Sequence, residues 1–149
     1  MHRLWLYCII LVLLTPPLCL ARDAAVITNK ANPTSSVSKD DLLKLLKVET
    51  PKWSDGKKVT VFLSNPASED GRLCREKTYK MTAAELKTFA AAQKGSIVIL
   101  GSDELVVKAV SEYPGAIGVV NVYAISSAVK VLRVDGKLPF EQGYLLHGN

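Results

Sequence analysis

Between Ser68 and Arg75 the chain reads Ser-Glu-Asp-Gly-Arg-Leu-Cys-Arg, which places a hydroxyl, two carboxylates, a glycine, a thiol and two guanidinium groups within one short stretch. The stretch follows a polar loop, Asn65-Pro66-Ala67, and leads into a segment expected to be helical from Arg72 to Lys80. Free backbone N–H groups and the dipole at a helix start favour an anion. Ser68 could donate its hydroxyl to such an anion and Gly71 would allow close backbone approach. Arg72 and Arg75 could reach an oxyanion bidentately. The same residues also admit a plainer reading, in which Glu69 and Asp70 cap the helix and the arginines are solvated.

Other chemistry finds less support. A nucleophile needs a base within hydrogen-bond reach, and the chain has two histidines, His2 and His147, each close to an end. Cys74, between Arg72 and Arg75, could have a lowered pKa, yet a small apolar role on a helix face is the commoner fate of a lone cysteine. The acid pairs Asp40-Asp41, Glu69-Asp70 and Asp103-Glu104 fall in loops or at expected helix starts, where capping and the dipole account for them. No catalytic residue and no metal ligand set is therefore assigned, no cofactor is implied, and the chain is read as a non-enzyme.

These residues need a scaffold, and the pattern describes one. Ala24 to Thr28 is an apolar run ended by Asn29 and by Asn32-Pro33, a buried strand running into a turn. Ser38 and Asp41 open a helix over about 38–48 with Leu42, Leu43, Leu45 and Leu46 at helical spacing. Val59 to Leu63 is β-rich. Thr82 with Glu85 forms a capping box for an alanine-rich helix over about 83–93. Ile97 to Leu100 is a strand, and Ser102 caps a helix whose expected buried face is Leu105, Val106, Ala109, Val110 and Tyr113. Ala116 to Asn121 and Val129 to Val134 complete the strands. Alternation of strand and helix predicts an α/β domain with a mixed or largely parallel sheet.

The chain is 149 residues long, 48% hydrophobic and 22% charged, with 19 basic and 14 acidic side chains and a net charge of +5. The basic residues are scattered among acids, which gives no nucleic-acid footprint. Residues 1–21 stand apart. Arg3 precedes an apolar run from Leu4 to Leu14, and Cys19-Leu20-Ala21 supplies small residues at the cleavage positions, the layout of a secretory signal peptide. Residues 22–149 then form the mature domain, exported to the periplasm or secreted, with contact to a membrane only through partners. Of the three cysteines, Cys8 and Cys19 leave with the signal, so stability must come from a packed core.

Four stretches in order resemble the substrate-binding proteins of phosphate ABC transporters. They are Ile27-Thr28-Asn29-Lys30-Ala31-Asn32-Pro33; Trp53-Ser54-Asp55-Gly56-Lys57; Glu69-Asp70-Gly71-Arg72-Leu73-Cys74-Arg75-Glu76; and Leu100-Gly101-Ser102-Asp103-Glu104 with Pro114-Gly115-Ala116-Ile117-Gly118. The resemblance implies a type 2 periplasmic-binding-protein fold, here a single lobe with a mixed sheet flanked by helices. What matches corresponds to the second lobe of a full receptor, and the first lobe is largely absent. The family's anion loop carries Ser or Thr after the glycine, where this chain has Arg72. The resemblance points to phosphate or a similar oxyanion as ligand, at Ser68, Gly71, Arg72 and Arg75, with Thr28, Asn29 and Ser102 as lesser candidates. A single lobe offers half a cage, so affinity is expected to be weak. The competing expectation is a non-catalytic accessory subunit of a cell-envelope assembly, or a homo-oligomer, that keeps the fold and has lost the ligand.

Overall fold

A computed structural model describes residues 23–148. The expected signal peptide, residues 1–21, lies outside the described residues. Within them run β1 (Ala24–Asn29), β2 (Ser36–Val37), α1 (Lys39–Leu46), β3 (Thr60–Ser64), α2 (Glu69–Cys74), a π-helical turn (Arg75–Tyr79), α3 (Ala83–Ala92), β4 (Ile97–Leu100), α4 (Asp103–Glu112), β5 (Ala116–Asn121), a 3-10 turn (Val122–Ala124), β6 (Val129–Val131) and β7 (Arg133–Val134). The main sheet has the order β4-β3-β5-β1-β6, and β2 pairs with β7 in a small second sheet. β3 is parallel to both β4 and β5, whereas β1 is antiparallel to β5 and β6. The sheet is mixed, as the alternation of elements predicts.

Period-two alternation in β3 explains the layering. Val61 and Leu63 point to one face and join Leu42, Leu46, Cys74 and Leu86, while Phe62 points to the other and joins Val106 and Val110. Helices α1, α2 and α3 therefore cover one face and α4 the other, each burying apolar surface at roughly 1.5–3 kcal/mol per large side chain. β1 is covered on both faces and is buried along its whole length, which is why it reads as continuous apolar sequence rather than an alternation. The helix after β3 lies on one face and the helix after β4 on the other, and such a divergence leaves a crevice at the carboxyl ends of the strands.

Several expectations are adjusted. The helix expected from Arg72 starts at Glu69, because Ser68 is its N-cap and accepts from the Gly71 N–H. It passes into a π turn before Lys80 ends it in the left-handed region at φ 53°. The run Val129–Val134 splits into β6 and β7, since the Leu132 N–H turns back to the Val26 carbonyl. On α4 the buried side chains are Asp103, Val106, Val107 and Val110. Leu105 and Tyr113, expected on the buried face, stay 48% and 55% exposed.

Candidate functional site

Ser68, Gly71, Arg72 and Arg75 follow β3 in the loop and helix beyond its carboxyl end, and Ser102 follows β4 at the start of α4; of these, Arg72 borders the cavity described below. Each is already engaged within the chain. The Ser68 hydroxyl donates to the Asn65 carbonyl at 2.6 Å and accepts the Gly71 N–H at 3.0 Å. Gly71 is buried, and a Cβ there would meet the Asn65 carbonyl oxygen at 2.1 Å; its glycine identity serves chain packing. Arg72 makes an exposed pair with Glu69 at 3.3 Å. Arg75 turns inward, donating from Nε to the Pro66 carbonyl at 3.2 Å and from Nη1 to the Met81 carbonyl at 3.0 Å. The Ser102 hydroxyl caps α4 by accepting the Leu105 N–H.

Thr28 is not brought to this cluster. β1 runs antiparallel to β5, so Thr28 pairs with Ile117 at the amino end of β5, at the opposite end of the strands. Its hydroxyl is fully buried and without a hydrogen-bond partner. Asn29 sits at the same far end of the strands, where its side-chain amide caps the end of α4 through the Val110 and Ser111 carbonyls.

The crevice contains acids that sequence reasoning assigned to helix capping alone. Asp103 is 4% exposed, with Oδ2 accepting the Asn121 N–H at 2.7 Å. Burial holds its carboxyl above the usual range; the Asn121 N–H and the Ser64 side chain oppose this, and the nearby Asp70 and Glu104 charges add to it. The Asn121 side chain donates to Asp70 at 3.1 Å, so one residue at the end of β5 ties the first turns of α2 and α4 together. Beside it lies a cavity of about 520 Å³ whose walls include Asp23, Glu69, Asp70, Arg72, Lys77 and His147. A smaller recess of about 220 Å³ is bordered by Asp70, Asp103, Glu104 and Tyr123. The larger cavity is lined by both signs of charge and the smaller by carboxylates.

His147 is held in place: its Nδ1 pairs with Asp23 at 2.7 Å, and the Phe140 and Gly148 N–H groups donate to the same buried carboxyl. A terminal position in sequence disguised this, since only the fold brings the last residues beside the first strand. Asp23, Lys77 and Asn121 carried no motif that could have revealed them. Burial pushes the Cys74 thiol up to about 12, so the flanking guanidiniums do not activate it. Among the described residues no group of histidine, cysteine and carboxylate side chains could hold a metal ion, and no helix is long and apolar enough to cross a membrane.

No protein-family model matches the sequence, and no curated protein is a significant match to it. Solved structures do resemble the fold. An ABC-type phosphate transport receptor from Vibrio cholerae superposes with a TM-score of 0.66 at 14% identity, covering 80% of this chain and 48% of the receptor. PstS from Borrelia burgdorferi gives 0.67 at 15% identity, covering 87% and 55%. A phosphate-binding protein from Stenotrophomonas maltophilia gives 0.62 at 17% identity, covering 80% and 40%. The chain has the fold of phosphate-receptor substrate-binding proteins and spans about half the length of these structures.

Proposed function

We propose that this receptor-like fold, at about half a receptor's length, serves as a secreted, non-catalytic docking module, an accessory subunit of a larger envelope assembly, rather than a self-sufficient anion trap. One observation carries the reading: the helix starts that would face an anion already hold the chain's own carboxylates. Asp103 is buried in the first turn of α4 on the Asn121 N–H, and Asp70 in the first turn of α2 is bonded to the Asn121 side chain. The Gly71 N–H, the Ser68 hydroxyl and the Arg75 guanidinium are likewise engaged. An incoming dianion would have to displace these bonds beside two acids. Desolvating it costs several kcal/mol, and each charge-assisted bond returns only ~1.5–3 kcal/mol. The resemblance to transport receptors favours a non-enzyme, and secretion rests on the signal-like start of the sequence.

A second reading keeps a weak oxyanion ligand, phosphate or sulfate. It is favoured by Arg72, Lys77 and His147 on the wall of the larger cavity, beside Asn121 at the carboxyl end of β5, the end of the strands where doubly wound folds place ligands. Calorimetric titration of phosphate, and separately of sulfate, into the purified protein distinguishes the two. The docking reading expects no saturable heat up to ~10 mM, a concentration that would largely fill a site with a Kd of ~1 mM. One-site heat removed by Arg72→Ala with Lys77→Ala would overturn it.

A further inference from the structure

Asp103 leaves an acceptor unmet beside the smaller recess. Its Oδ2 takes the Asn121 N–H, whereas its Oδ1 is buried and has no hydrogen-bond partner; the Ser64 side chain moderates the charge of the carboxyl without bonding that oxygen. A buried carboxylate oxygen that lacks a donor is costly. The recess that Asp103 borders is walled otherwise by Asp70, Glu104, Asn121, Tyr123 and Ala124. Among the described residues none of its walls is cationic, although the chain as a whole carries a net charge of +5. Arg72 and Lys77 border the neighbouring cavity instead. The Asp70 and Glu104 charges add to burial in raising the Asp103 pKa, so the three acids repel one another, and a cation placed among them would relieve that repulsion.

The geometry points to a guanidinium group as the guest of this recess, with one of its N–H groups donating to Asp103 Oδ1. Three features select that group. The acids do not converge on one point, since among the described residues no set of them could hold a metal ion. Donors spread over a plane reach separated carboxyls, where a compact ammonium reaches one. Tyr123, 68% exposed, supplies an aromatic ring at the rim, a surface on which guanidinium stacks. Asn121 holds both sides in place: its Nδ2 donates to Asp70 at 3.1 Å and its Oδ1 accepts the Tyr123 N–H at 3.0 Å. The volume of about 220 Å³ is ample for one such group. The guanidinium can come from a free organic cation or from an arginine of a partner protein, and the recess would meet either through the same contacts. The inference rests on the docking reading, in which the chain's own acids stand where an anion would, and it names the chemistry that a partner would present there.

Nuclear magnetic resonance titration of the isotope-labelled protein at neutral pH tests this, with ethylguanidinium and, separately, with a blocked glycine peptide carrying one arginine. Saturable shifts at the Asn121 side-chain amide and at the Tyr123 and Glu104 backbone are expected, with a Kd on the order of 1 mM. Citrulline in place of the peptide's arginine is expected to abolish them. Tighter binding of the peptide than of ethylguanidinium assigns the guest to a partner protein, and equal or weaker binding assigns it to a free cation. Asp103→Asn is expected to weaken binding about tenfold, and Glu104→Gln or Tyr123→Ala, both at exposed positions, about threefold. No saturable shift with either probe up to ~20 mM overturns the inference, as does binding unchanged in Asp103→Asn and Glu104→Gln. Should Asp103→Asn unfold the protein, unchanged binding in Glu104→Gln and Tyr123→Ala overturns it equally. Absence of guanidinium binding together with absence of phosphate heat sinks this inference alone, whereas phosphate heat removed by Arg72→Ala with Lys77→Ala sinks the docking reading.

Discussion

Asp103 shows how one side chain decides the chemistry of the crevice. Its carboxyl is buried with one strong donor, so the charged form is disfavoured and the pKa lies above the ordinary 3.8. A raised folded-state pKa means the folded protein binds a proton more tightly than the unfolded chain. The stabilisation is present at low pH and is lost as pH rises from about 3.8 through the folded pKa. Asp103→Asn keeps an oxygen for the Asn121 N–H and carries no charge. Chemical denaturation at several pH values between 4 and 7 should therefore show the variant gaining on the parent as pH rises. A parent that instead gains on the variant toward neutral pH would contradict the assignment.

At the scale of elements, Arg75 braces the junction where the chain passes from the loop after β3 through α2 and the π turn toward α3. Its guanidinium, largely covered, ties the Pro66 carbonyl to the Met81 carbonyl. Arg72, one turn earlier, faces solvent and Glu69. Hydrogen bonds from a charged donor to buried carbonyls contribute ~1.5–3 kcal/mol, while an exposed ion pair contributes below ~1 kcal/mol. Arg75→Ala should accordingly lower unfolding stability by about 2 kcal/mol and Arg72→Ala by no more than about 0.5 kcal/mol, as read from urea midpoints. Equal losses would show that Arg75 is not a brace.

For the whole molecule, the two ends of the described chain are clasped. The Ala24 N–H donates to the Leu146 carbonyl, and Asp23 gathers Phe140, His147 and Gly148. Tyr144 and Leu146 reach into the core from the same tail. Phe140 holds a left-handed conformation at φ 72°, an unfavourable one for a bulky residue, and its N–H bond to Asp23 secures it. Asp23→Ala strands two backbone N–H groups and frees the tail. It should cost about 3 kcal/mol in urea denaturation and admit proteolysis after residue 135 before global unfolding. Resistance equal to the parent would show that the apolar anchors suffice.

Much of this was legible before any tertiary structure. Apolar periodicity, the Ser38, Thr82 and Ser102 caps and the Gly and Pro breaks are local signals, so strands and helices appear close to where they were expected, and their alternation carried the α/β class. Side-chain direction and strand order are not local. Thr28 stands in a well-read strand, yet antiparallel pairing sends it to the far end of the strands, and Leu105 and Tyr113, in and just after a correctly read helix, stay largely exposed. Whether Arg75 meets an anion or the chain's own carbonyls, and whether acids fill the crevice, depended on contacts between residues distant in sequence, such as Asp103 with Asn121 and Asp23 with His147. Local sequence encodes the elements because caps and periodicity act within a few residues. Tertiary packing alone settled the crevice's chemistry, because burial and charge pairing are set by neighbours that only the fold supplies.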